Sequence, residues 1–309
     1  MKIKILLLAL ALTVPASAGK YAAEFLDTGI GVRALGMGGA FVASADDGSA
    51  GFWNPAGMVQ ARRTEVSFMH AAHFNGLLQS DVLHLIRPSQ SLALGATYLR
   101  VGIDGIKYTS RLDLNGRPVI DREVTDVEDA LLLSAAKSLR PNLSFGATVK
   151  ALRQRVGDNS ALGFGVDLGV HWRPAPQWAL GASLQDISGT HVYWDTGHRD
   201  IKPPRLNVGA SWKKSINLLR SSLALSVQQI VRFEGRSVDG ALNFGEFGNT
   251  DVSLGGEYTV YDLLSVRLGS HTGALTAGAG ISFKQFRLDY AFMSHDLGNA
   301  HRVALTVGW

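Results

Sequence analysis

Leu162-Gly163-Phe164-Gly165-Val166-Asp167-Leu168-Gly169-Val170-His171-Trp172 is the stretch that decides the fold. Every second residue is large and apolar. Each residue between them is Gly, Asp or His. Side chains of an extended strand alternate between two faces, so this is a strand with one greasy face and one small or polar face.

The same period runs outward in both directions. Upstream, Leu143, Phe145, Ala147, Val149 and Ala151 oppose Ser144, Gly146, Thr148 and Lys150. Downstream, Trp178, Leu180, Ala182 and Leu184 oppose Ala179, Gly181, Ser183 and Gln185. Val252 to Val260, Leu275 to Phe283, Phe286 to Phe292 and Val303 to Trp309 repeat it. The periodicity predicts 14 strands, at 64–72, 78–87, 90–100, 126–139, 142–154, 160–172, 177–187, 203–214, 221–231, 250–260, 262–270, 273–283, 286–295 and 300–309. The strand at 78–87 is the least regular, and 126–139 begins mixed at Leu131, Leu132 and Leu133.

Short connections dominate one end of this series, around Pro88-Ser89, Arg140-Pro141, Arg173 to Pro176, Ser215 to Arg220, Tyr261-Asp262 and Lys284-Gln285, though two at the other end, near Asn75 and Thr272, are short as well, so the asymmetry is a bias. The long ones, 101–125, 188–202 and 232–249, fall at the other. Outer-membrane barrels carry short periplasmic turns and longer extracellular loops. A soluble β-sandwich is the alternative, with the apolar face inside. The apolar faces are nearly free of charge and the polar faces are rich in Gly and Ser, which suits lipid outside and a lumen inside. Trp172, Trp178, Trp212, Tyr258 and Trp309 lie near strand ends, where an interfacial girdle sits. The reading is an all-β protein: a transmembrane antiparallel β-barrel of about 14 strands over residues 63–309.

Composition agrees. Of 309 residues 46% are hydrophobic and only 18% charged, below the roughly 25% of soluble domains. A net charge of +4 without a Lys/Arg-rich run gives nucleic acid no footprint. The absence of Cys excludes thiol chemistry and Cys-ligated metals. Lys2 and Lys4, the apolar run Ile5 to Val14, and Ala16-Ser17-Ala18 read as a signal peptide over 1–18, cut after Ala18. The bacterial outer membrane is the expected location, and its lipid the expected surround.

Residues 19–62 do not alternate. They are rich in glycine, from Gly29 to Gly57, and hold Leu35, Met37, Phe41, Phe52 and Trp53, too apolar for a disordered periplasmic tail. Eight strands fill their own barrel and 16 to 18 leave a channel, so 14 call for a filler. We read 19–62 as a plug in the lumen, with Asn54-Pro55-Ala56-Gly57 a tight turn leading to the first strand. Alternation points Lys150, Asp167, Asp251, Glu257, Arg267, Arg287, Asp289 and Arg302 into the lumen. There they are expected to pair with one another and with Arg33, Asp46 and Asp47 of the plug, since an isolated charge would be costly.

Two blocks resemble a known family. Gly31-Val32-Arg33-Ala34-Leu35-Gly36-Met37-Gly38-Gly39-Ala40-Phe41-Val42-Ala43, Ala45-Asp46-Asp47 and Trp53-Asn54-Pro55-Ala56-Gly57 look like the start of the FadL superfamily, in its PorV/PorQ-like branch. Phe286 to Phe292, His295-Asp296-Leu297-Gly298 and His301-Arg302 look like the last strands of that branch. The resemblance implies a 14-stranded barrel with an N-terminal hatch. It also implies passage of small hydrophobic molecules or, in the PorV-like branch, partner binding for type IX secretion at the cell surface. Short loops disfavour a large fatty-acid groove. Arg33, Leu35, Met37, Phe41, Asp46, Asp47, Trp53, Asn54 and Pro55 are then the candidate plug and gating residues.

Other motifs carry less. Gly36-Met37-Gly38-Gly39 follows no strand and precedes no Lys-Ser/Thr pair, so it is no phosphate loop. His191 and His198 share a loop with Tyr193, Trp194, Asp195 and Asp200, but their spacing fits no zinc signature. No serine sits in a nucleophile elbow, so catalysis is not expected and no cofactor is implied. Transport and partner binding remain as the two readings.

Overall fold

The structure is a computed structural model that describes residues 22–233, 236–238, 241–243, 250–295 and 297–309. The expected signal peptide lies outside the described residues.

Fourteen antiparallel strands close into a barrel. They are β1 Glu65–His73, β2 Leu78–Pro88, β3 Leu92–Leu112, β4 Pro118–Arg140, β5 Leu143–Val156, β6 Asn159–Ala175, β7 Trp178–Gln185, β8 Arg205–Ile216, β9 Ser221–Arg232, β10 Thr250–Val260, β11 Leu264–His271, β12 Ala274–Phe283, β13 Phe286–Met293 and β14 Ala300–Gly308. Each pairs with its sequence neighbours, and β1 pairs with β14 from Glu65↔Gly308 to Ala72↔His301. Closure leaves no edge to satisfy in lipid. No helix among the described residues is long and apolar enough to cross a membrane.

Burial is inverted relative to a water-soluble protein. Leu162 and Phe164 are 55% and 59% exposed, while Asp167 between their neighbours is 1% exposed. Phe68, Leu83, Tyr98 and Leu131 follow one another across β1–β4 as a single outward row. Two residues further from the short turns, that row becomes His70, Asp81, Arg100, Asp129 and Arg153 across β1–β5, with His70 Nδ1 2.7 Å from Asp81 Oδ1. Charges alternate along it, so cross-strand neighbours attract. The row marks where the apolar band ends on the long-loop side.

Two expected loops are corrected. Residues 101–125 are not a loop: β3 and β4 run on as a hairpin of 21- and 23-residue strands, turning at Asp113–Arg117. Beyond the membrane both faces meet water, so nothing imposes a period of two and the alternation fades while the strand persists. Within 188–202, Thr190–Trp194 and Arg199–Lys202 form a second hairpin, which pairs with β6 from Ala161↔Trp194 to Phe164↔His191. β7 leaves the barrel ladder at Asp186, whose φ is 56°, and frees that stretch of β6 for the hairpin.

The N-terminal segment lies inside. It holds only short helical pieces, Glu24–Thr28, Val32–Gly36, Ala50–Trp53 and Pro55–Gln60. Its apolar residues Phe25, Leu26, Ile30, Val32, Leu35 and Phe52 form one buried cluster with inward-pointing Met69, Val82, Leu99, Val101, Leu132 and Leu152. The irregular alternation at 78–87 and 126–139 has this cause. There the inner wall is apolar as well, because it faces the plug.

Candidate functional site

The plug and the wall it touches form the site. Two kinds of bond hold them together. The first is a buried chain of alternating charges. Arg33 makes a bidentate pair with Glu257, both bonds 2.9 Å, and also binds Asp46 and, at 3.5 Å, Asp47. Arg267 Nε donates to Glu257 at 2.7 Å and its Nη1 to Asp289 at 2.7 Å. Arg287 Nε donates to the other oxygen of Asp289 at 2.8 Å and reaches Glu65 at 4.0 Å. Arg33, Arg267 and Arg287 alternate along the chain with the carboxylates Glu257 and Asp289 that link them, so each of these desolvated cations is compensated. Asp47 also accepts from the Ser49 amide at 2.9 Å and its hydroxyl at 2.7 Å. Burial would raise the Asp47 pKa, but Arg33, Arg287 and the Ser49 hydrogen bonds together outweigh it and hold the carboxyl below its usual range.

The second is a set of wall side chains that satisfy the plug backbone. Gln228 Oε1 accepts from the amides of Phe41 at 3.0 Å and Val42 at 2.8 Å. Gln185 donates to Phe52 O at 2.6 Å, Thr148 to Gly51 O at 2.8 Å, Ser144 to Ala56 O at 2.8 Å and Thr276 to Gly36 O at 3.1 Å. A segment with little helix or sheet must find partners elsewhere, and the polar lumen supplies them. Wall glycines let it come close. A Cβ on Gly146 would lie 2.5 Å from the Ala56 amide nitrogen, and one on Gly255 would lie 2.8 Å from Met37 Cβ.

The remaining plug residues hold its internal shape. Trp53 Nε1 donates to Ile30 O at 2.8 Å, and its ring meets Phe41 and Phe52 edge-on. Arg33 stacks over Phe41 at 5.3 Å. Asn54 Nδ2 donates to Val42 O at 2.8 Å and Val170 O at 3.0 Å, while its Oδ1 caps the Pro55–Gln60 turn at the Ala56 amide, 3.1 Å away. Leu35 packs against Gly29, and Met37 lies over Gly255 and Gly269.

The other lumen charges lie apart from this chain. Lys150 sits between Asp167, at 2.7 Å, and Asp186, whose backbone amide donates to Asp167 at 2.8 Å. Asp251 pairs with Arg232. Among the described residues Arg302, 3% exposed, has no carboxylate partner and meets only the Met293 sulfur at 4.0 Å.

Sequence reasoning missed Gln185, Gln228, Asp186 and Asp27. The two glutamines stand in inward register among small residues, a signal that a search limited to charges passes over. Asp27 binds Lys202 and Arg205, each at 2.8 Å, and ties the first turn of the plug to the long-loop end of the wall. Burial works against its charge, but Arg205 and then Lys202 prevail and lower its pKa from 3.8 to about 2. A lowered folded-state pKa stabilises above 3.8, and that contribution fades as pH falls toward 2. Amide hydrogen exchange of residues 22–28 is therefore expected to be slow and flat from pH 7 to 4, after correction for intrinsic rates, and to rise below pH 3. In Asp27→Asn it is fast throughout.

A polar cavity of about 160 Å³ lies between plug and wall at the short-turn end, lined by Arg33, Asp46, His171, Arg173 and Lys213 among others. It does not extend to the opposite mouth.

No family model matches the chain, and no curated protein matches it. Solved structures do. The Ralstonia pickettii toluene transporter TbuX aligns over 91% of this chain and 97% of its own at 16% identity, with a TM-score of 0.58. The monoaromatic hydrocarbon channel CymD aligns over 91% and 97% at 14% identity, with a TM-score of 0.63. A Pseudomonas aeruginosa FadL homologue aligns over 88% and 96% at 14% identity, with a TM-score of 0.51. What the chain shares with these outer-membrane proteins is the FadL/TodX-type fold of a 14-stranded barrel.

Proposed function

We propose that the protein is an outer-membrane channel for small hydrophobic or amphipathic molecules, with residues 22–61 as a hatch that moves to open it. One observation carries this reading. The inner wall of β1–β5 carries an apolar belt, Met69, Val82, Leu99, Val101, Leu132 and Leu152, which the apolar N-terminal cluster covers, while the inner wall of β6–β14 is mainly small or polar. A greasy molecule entering from that side meets a surface that the hatch covers only by contact. The likeness in fold to toluene and monoaromatic hydrocarbon transporters supports the same reading. The role requires no catalysis and no cofactor.

The test is a removable lock. Ser226 Oγ lies 3.3 Å from Ser44 Oγ, joining wall to plug, and the natural chain has no Cys. The double variant Ser44→Cys/Ser226→Cys is expected to form a disulfide. Oxidised, it should lose most uptake of a labelled monoaromatic hydrocarbon into outer-membrane vesicles, and dithiothreitol should restore it. Equal uptake in both states would refute a moving hatch.

The second reading is a surface interaction protein of the PorV/PorQ-like kind, presenting secretion-system partners or cargo. It is favoured by the β3–β4 hairpin. Above Gly102 and Asp126 its outer edges have no strand partner among the described residues, and Tyr108, Leu112, Leu114 and Ile120 are exposed. Unpaired strand edges recruit other chains. Deleting residues 104–123 separates the readings: uptake survives under the first, and co-purification with partners is lost under the second.

A further inference from the structure

A broad concavity lies on the outside of the barrel. It lies over β8–β11 in the half of the barrel nearer the short turns, with a volume of about 1130 Å³. Three outward rows build it. The middle row is Trp212, Leu225, Gly256 and Leu268, consecutive across the four strands. The row toward the short turns is Lys214, Leu223, Tyr258 and Val266. The row on the other side includes Ala210, Val227 and Leu254. Leucines and aromatics form the walls, while Gly256 and Ala210 leave the floor bare. Beneath Gly255 and Gly269 the wall is one backbone thick, with Met37 and Gly38 pressed against its inner side. The groove lies on a barrel that faces lipid, so an acyl chain is the natural filler of such an apolar slot.

Charge at one end narrows the occupant. Lys214 is exposed, points outward beside Leu223 of the groove, and has no ion-pair partner among the described residues. It belongs to a cationic rim. Five of the six short turns bear a Lys or Arg at or beside them, Arg87, Arg140, Arg173, Lys214 and Lys284. The sixth bears Asp262, which is already paired with Arg220 at 3.3 Å. Basic side chains beside an anionic leaflet are drawn to its headgroups. Trp178 and Trp212, opposite each other, and Tyr258 one row nearer the short turns line this half of the groove, and aromatic rings favour the headgroup boundary. A second copy of this chain fits worse, because it would bring a second basic rim against the first.

We propose that this groove is a binding site for one anionic glycerophospholipid of the periplasmic leaflet. An acyl chain lies over Gly256 between Leu225 and Leu268, and the phosphate meets Lys214. The inference stands apart from the transport reading, because the groove does not open into the lumen.

The experiment uses full-length delipidated protein in detergent, titrated with dioleoyl phosphatidylglycerol or dioleoyl phosphatidylcholine and read by native mass spectrometry. The wild type is expected to keep one phosphatidylglycerol at collision energies that strip phosphatidylcholine. Gly256→Leu fills the floor and should lower retention at least tenfold. Its added Cβ meets Leu225 Cδ2 at 3.4 Å, an ordinary contact, so the barrel still folds. Ala210→Leu fills the groove from the opposite side and should act alike. Lys214→Glu should abolish the preference for phosphatidylglycerol. Heat-modified gel mobility confirms a folded barrel in each case. Equal retention of the two lipids by the wild type would overturn the proposal. So would unchanged retention in Gly256→Leu and Ala210→Leu, or a dimer that the groove variants dissociate.

Discussion

Replacing Lys150 with methionine is expected to be the most damaging single change. Lys150 is the shared cation of Asp167 and Asp186, and all three side chains are nearly sealed from solvent, at 2–4% exposure. Removing one partner of a buried ion pair costs about 3–5 kcal/mol, because the other charge is left uncompensated. Here two carboxylates are stranded, which places the cost at the upper end. The damage is local in origin. Asp186 is where β7 leaves the ladder, and Thr190, which starts the hairpin on β6, donates to the same carboxylate. The urea midpoint of the refolded barrel in lipid vesicles should fall, and protease should cut within 186–202 first. The triple variant Lys150→Met/Asp167→Asn/Asp186→Asn removes the stranded charges and should recover most of the loss. If the single and triple variants unfold alike, the charge argument fails.

Arg33→Ala should act on the plug and leave the barrel standing. Arg33 is the one plug cation in the chain of charges, and it alone ties Asp46 to the wall residue Glu257. Glu257 keeps Arg267, and Asp46 is 37% exposed, so solvent and wall absorb part of the loss. The cost then sits at the lower end, about 3 kcal/mol. The plug is held otherwise by neutral hydrogen bonds of about 1 kcal/mol each and by apolar contact, so that loss is a large share of its docking energy. In planar bilayers the variant is expected to show steady ion conductance that the wild type lacks, while its gel mobility stays that of a folded barrel. A silent Arg33→Ala barrel with wild-type protection of residues 22–61 would contradict this role. Arg33→Lys keeps the charge but loses the bidentate fork on Glu257, so it should fall between the two.

Much of the architecture was legible because a barrel wall obeys one rule. Wherever a strand separates hydrocarbon from a polar interior, residues alternate, as Leu162 to Trp172 do. Legibility failed where the two solvents ceased to differ. In 103–125 both faces meet water, so β3 and β4 outran their pattern. Along Met69, Val82, Leu99 and Leu132 both faces are apolar, so strands read as irregular. The charged lumen residues were visible by register alone. The neutral ones that hold the plug, Gln185, Gln228 and Thr148, were not, because only the path of the plug shows which carbonyl or amide each one meets.

The sequence by itself determined the strand count and, where the alternation is clean, the face each wall residue presents, since both follow from a period of two. Only the tertiary structure decided which charge meets which. Arg33 and Glu257 are 224 residues apart, and Lys150 and Asp186 are 36 apart. Such pairings are set by the circumference of the closed ring and by where an irregular chain comes to rest inside it, and neither is a property of local spacing.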